Sequence, residues 1–131
     1  MESVIDARDQ IRIAEVRARL SDLTEDDPTP AEVALVIRLL RSFEGKVPAA
    51  ADLLVGMLHD GEPGPVREQA HALKGSAANI GATALADLCA DVEDQARVGV
   101  VADPATTSVR VRDEVAGALR AVAVIAGEYE R

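Results

Sequence analysis

Apolar residues recur at alternating steps of three and four along almost the whole chain, and no stretch makes a convincing strand. That spacing is the helical period, so each segment offers one stripe to bury and no flat face from which to build a sheet. Val98 to Val101 is the nearest thing to a strand, and it is too short and too close to Gly99. The first helix is expected over about Ser3 to Leu23, with Ile13, Val16, Leu20 and Leu23 on one face and Arg12, Arg17 and Arg19 on others. Glu25-Asp26-Asp27-Pro28 breaks the pattern as an acidic, solvated loop. Thr29-Pro30-Ala31-Glu32 then has the form of a helix start, with Thr29 as cap, Pro30 at the first position and Glu32 completing a capping box.

Val33, Val36, Ile37, Leu40 and Phe43 continue that helix as a buried stripe. Gly45 and Pro48 interrupt it, which predicts a kink or break before a second piece carrying Leu54, Met57 and Leu58 and ending at Gly61. Glu62-Pro63-Gly64-Pro65 reads as a rigid connector, with Pro65 opening a helix that runs to about Ile80 and closes at Gly81. Leu85, Leu88, Cys89, Val92 and Ala96 mark the next helix, about Ala82 to Val98. Asp103-Pro104 starts the last, whose stripe is Val111, Val115, Ala118, Val122, Ile125 and Tyr129. Short loops between long helices make neighbours antiparallel. The expected fold is all-α: a single domain with an up-down four-helix bundle over about residues 30–131 and an additional N-terminal helix over about 3–23.

Composition narrows the function more than the fold. A chain of 131 residues with 48% hydrophobic and 28% charged residues is ordinary globular protein. Its apolar residues are mostly Ala, Val and Leu, which suit close helix packing and leave little room for a large ligand cavity. A net charge of −9 disfavours nucleic acid and an anionic membrane surface. The single cysteine, Cys89, excludes an intrachain disulfide and reads as an inert buried thiol. No apolar run approaches the roughly 18–20 residues needed to span a bilayer, and Met1-Glu2-Ser3 does not begin a signal peptide, so a cytoplasmic location is expected. Two distant histidines suggest no zinc site, Lys74-Gly75-Ser76 has the wrong order for a phosphate loop, and no nucleophilic triad is evident.

One stretch stands apart, Ala70 to Gly81. Val66, Leu73, Ala77 and Ile80 gather on one side of its helical wheel, and His71 falls roughly opposite Leu73. Lys74 and Gly75 follow His71 at i+3 and i+4, and Arg67 precedes it at i−4, so an acidic chain carries a local basic spot around an exposed imidazole. Gly75 costs about 1 kcal/mol relative to Ala inside a helix, so its presence asks for a reason: close helix packing or close approach of a partner. Ser76 and Asn79 are expected to bond backbone near the helix end, and His59 to interact with a helix dipole. If the chain reverses near Ala82, residues equidistant from the turn face each other and His71 meets about Glu93. Glu93 then accepts a hydrogen bond from one ring N–H and leaves the other nitrogen free to attack.

The order His71-Ala72-Leu73-Lys74-Gly75-Ser76, followed by Gly81-Ala82 and by Leu85, Leu88, Cys89 and Glu93, resembles the histidine-containing phosphotransfer (HPt) family. The resemblance is sharpest over about Val66 to Ala96 and extends more loosely back to Val33. It implies a four-helix bundle in which His71 accepts a phosphoryl group, Lys74 steadies it, and Gly75 admits the partner, with Arg67 and Ala78 also meeting that partner. It implies transfer to and from aspartates of response regulator receiver domains, or from a sensor histidine kinase, by a monomer that has no ATP site and no cofactor. The Mg²⁺ used in transfer then belongs to the receiver. Glu93 carries over less directly, since relatives hold various polar residues opposite the histidine. Two alternatives fit the same residues: a helical module that docks receivers without accepting phosphate, and the phosphorylated input domain of a larger chemotaxis-type kinase.

Overall fold

The computed structural model describes residues 6–131, and the Ser3 to Ile5 start expected for the first helix lies outside the described residues. Five helices follow one another: α1 (Ala7–Ser21), α2 (Pro30–Asp60), α3 (Pro63–Ile80), α4 (Thr83–Arg97) and α5 (Pro104–Tyr129). No strand occurs among the described residues. α2, α3, α4 and α5 form the antiparallel bundle, each packed on its neighbours in a closed ring, while α1 lies chiefly on α5 and touches α3 and α4.

The caps explain where the helices begin. Thr29 Oγ1 accepts from the Glu32 backbone N–H, and Glu32 accepts in return from that of Thr29, so the capping box of α2 is complete. Asp6 and Asp103 cap α1 and α5 by accepting from the N–H groups of Arg8 and Thr106. Gly61 and Gly81 end α2 and α3 with φ of 78° and 86°, the left-handed conformation that relieves the last carbonyls of a helix.

Two expectations are corrected. α2 continues as one helix through Gly45 and Pro48, so the break expected there as the alternative to a kink does not occur. Pro48 cannot donate to the carbonyl of Glu44, but Phe43, Val47, Ala51 and Leu54 form an unbroken buried face on either side of it. Burial of that face outweighs the roughly 3 kcal/mol that an interior proline costs. α3 begins at Pro63, not Pro65, so the supposed connector is the helix's first turn. Prolines are harmless there, because the first N–H groups of a helix have no intrahelical acceptor to lose.

The core is mostly aliphatic, with Phe43 its one buried aromatic, and is contributed by all five helices. α3 supplies Val66, Ala70, Leu73, Ala77 and Ile80, which meet Leu85, Leu88, Cys89, Val92 and Ala96 of α4 and the stripes of α2 and α5. α1 adds Val16 and Leu20 and is fastened at its edge by charge. Arg120 grips Asp9 through two contacts of 3.0 Å, and Arg12 bridges Asp9 at 2.8 Å and Glu114 at 2.5 Å. Gly81 lets α1 lie close over the α3–α4 turn: a Cβ there would stand 2.6 Å from Cβ of Arg19. The helix that carries His71 is thereby held on three sides, by α1, α2 and α4.

Candidate functional site

The buried stripe of α3 fixes what its outer face presents. With Leu73 and Ala77 turned into the core, His71, Gly75 and Ala78 face out, and Arg67 and Lys74 lean toward α4. The His71 side chain is 67% exposed, yet it is not free to wander. Its Nδ1 lies 2.8 Å from Oε2 of Glu93, which reaches across from α4.

Glu93 is the least expected residue of the site in its surroundings, with a side chain only 3% exposed. A buried carboxylate needs compensation, and three donors supply it. Lys74 Nζ donates to Oε1 at 2.5 Å, and Arg97 Nη2 donates to Oε2 at 3.2 Å, the same oxygen that takes His71. The Lys74 ammonium, with help from His71, holds the Glu93 carboxyl below the usual carboxylate range, against the opposing effect of burial. An ionised carboxylate can only accept, so the proton between it and the imidazole belongs to Nδ1. In the neutral ring Nε2 then carries the lone pair.

The structure thus brings His71, Lys74 and Glu93 into one cluster and sets Arg67 on the wall of a shallow groove beside them, shared with Glu68 and Arg97. Gly75 lies on the exposed face, where an added Cβ would meet nothing within 4 Å among the described residues, so close packing against them does not explain it. Ala78 is exposed on the same side of α3. Ser76 and Asn79 face the other flank, lining a depression against Leu39, Ser42 and Lys46 of α2. The sequence does not single out Arg97, although its i+4 spacing from Glu93 is a signal for this contact. Cys89 lies beneath the site, where burial and the nearby Glu93 charge push its thiol up to about 12, as an inert core cysteine requires.

An oriented, solvent-facing imidazole on a helical bundle, backed by a compensated carboxylate, leaves one ring nitrogen open to a partner. The family model of the Hpt domain matches residues 38–122, well over half of the chain, and the chain belongs to that family. The match takes in most of α2, all of α3 and α4, and much of α5, and leaves α1 outside. No curated protein and no solved structure matches the chain significantly. At the level of the family, the function is histidine phosphotransfer in His–Asp phosphorelays, by a phosphocarrier module that works with receiver domains and kinases. Among the described residues no helix is long and apolar enough to cross a membrane.

Proposed function

We propose that this chain relays phosphoryl groups between receiver-domain aspartates through Nε2 of His71, as a cytoplasmic monomer with neither an ATP site nor a cofactor of its own. The observation that carries the reading is the contact between Nδ1 and Glu93 on a ring that otherwise faces solvent. In the neutral imidazole, the Nε2 lone pair attacks the phosphorus of an aspartyl phosphate. An N–P bond forms as the acyl O–P bond breaks, and the bonding pair returns to the aspartate carboxylate. The ring becomes cationic with its proton still on Nδ1, and the Glu93 carboxylate offsets that charge. The reverse sequence delivers the group to the next aspartate. Mg²⁺, where transfer uses it, sits on the receiver.

Gly75 supports the docking half of the reading, because its open surroundings let a second backbone approach the ring. Arg67 and Ala78 flank the same approach. Incubation with a receiver domain carrying labelled aspartyl phosphate tests the assignment. The parent chain is expected to take up acid-labile, base-stable label, and His71→Gln to take up none. Equal labelling of the two removes His71 from the role, and docking without labelling of the parent identifies a receiver-binding module that does not accept phosphate.

A further inference from the structure

Arg97 is the second cationic side chain that donates to Glu93, and its geometry differs from that of Lys74. Lys74 Nζ holds Oε1 of Glu93 at 2.5 Å and is 33% exposed, so releasing it strips a buried carboxylate of its closest compensation. Arg97 holds the other oxygen at 3.2 Å, the longest of the three contacts, with a side chain 52% exposed. Its second hold, at 3.1 Å, is on the well-exposed Asp94, an ion pair of the kind that contributes little. Moving Arg97 therefore leaves Glu93 with Lys74 and His71, whereas moving Lys74 does not leave an equivalent arrangement.

Arg97 also meets the His71 ring at a shared oxygen and lines the groove between α3 and α4 that Arg67 borders from the other side. Among the described residues Arg67 has no carboxylate within ion-pair distance. A guanidinium matches phosphoryl oxygens with two parallel donors, a geometry that an ammonium does not provide. Conversion of a neutral imidazole to a cationic ring bearing a dianionic phosphoryl adds one net negative charge beside this groove. Glu68 shares the groove and opposes that charge, on the Arg67 side.

Resting on the reading of His71 as the acceptor, we propose that Arg97 and Arg67 hold the phosphoryl group in this groove. Arg97 swings from Glu93 to the phosphoryl oxygens while Lys74 stays on the carboxylate. Lys74 is then a positioning residue that acts through Glu93, and the arginines are the residues that touch the transferred group.

The test is a phosphorus NMR titration of the chain labelled with phosphoramidate, a small donor that needs no partner protein, in a His59→Gln background so that one histidine reports. Cations at the phosphoryl group favour its dianion, so its titration midpoint is expected to rise by about half a pH unit or more in Arg97→Gln. The rise is smaller in Arg97→Lys and in Arg67→Gln, and Glu68→Gln lowers the midpoint. Unchanged midpoints in both arginine-to-glutamine variants overturn the proposal, as does a larger rise in Lys74→Gln than in Arg97→Gln. If Arg97→Gln does not fold, Arg97→Lys and Arg67→Gln decide by the same comparison. His71 that takes phosphoryl from phosphoramidate but never from a receiver refutes the relay function and leaves this outcome readable.

Discussion

An extra methyl group at Gly75 meets open space, yet the residue sits inside a helix where glycine costs stability. Stability and function therefore pull in opposite directions at this one position. Gly75→Ala is expected to raise the unfolding free energy by up to about 1 kcal/mol, read as a higher urea midpoint at unchanged slope. Gly75→Gln keeps the helix-forming advantage but stands a long side chain beside His71. It is expected to be at least as stable as the parent, to accept phosphoryl from phosphoramidate normally, and to accept it from a receiver domain roughly tenfold more slowly or worse, about 1.4 kcal/mol of lost docking or transition-state stabilisation. Parental transfer rates in the glutamine variant show that no partner backbone comes close to Gly75. His71 and Glu93 show the complementary case, in which a buried, charged residue is tolerated because three donors converge on it.

Among the elements, α2 shows where local sequence and tertiary packing disagree. Pro48 is exposed and makes a helix break the obvious local expectation, but the apolar face of Phe43, Val47, Ala51 and Leu54 continues through it. Pro48→Ala restores a donor for the Glu44 carbonyl and removes the ring, and is expected to stabilise the chain by about 1–3 kcal/mol. Loss of stability on that substitution, measured by thermal or urea unfolding, means that the missing hydrogen bond to Glu44 is not what limits the stability of α2. Most of the helix plan is legible in the sequence because caps and stripes are local signals: Thr29, Asp103, Gly61 and Gly81 each act within one turn. The break at Pro48 misleads because a local penalty is weighed there against burial that only the assembled bundle supplies. Glu93 is legible because a tight antiparallel turn pairs residues equidistant from it. Its depth of burial and its third donor, Arg97, depend on the detailed approach of α3 and α4 and are not.

For the whole molecule, charge joins the helices that hydrophobic burial only brings together. Asp9 ties α1 to α5, Glu93 ties α4 to α3, and Glu32 and Asp103 cap α2 and α5. All four carboxyls are held below their ordinary values, 3.8 for aspartate and 4.5 for glutamate: Asp9 chiefly by Arg120, Glu93 by Lys74, and Glu32 and Asp103 by backbone N–H donors. In the unfolded chain these groups bind protons at a higher pH than in the folded one. Their contributions are therefore complete above about pH 4.5 and are lost as the pH falls through the lowered values of the folded state. The net charge of −9 acts the other way between neutrality and the isoelectric point near 4.6, since repulsion fades as carboxylates neutralise. The urea midpoint is expected to hold level or rise slightly from pH 7 to about 5 and then to fall below about 4.5. Glu93→Gln separates the site from the rest. It lowers the midpoint at pH 7, because Lys74 and Arg97 lose their shared carboxylate, and the gap from the parent closes as acid protonates Glu93. A gap of the same size at pH 3.5 and pH 7 assigns the role of Glu93 in stability to shape alone, and removes charge as the link between α3 and α4.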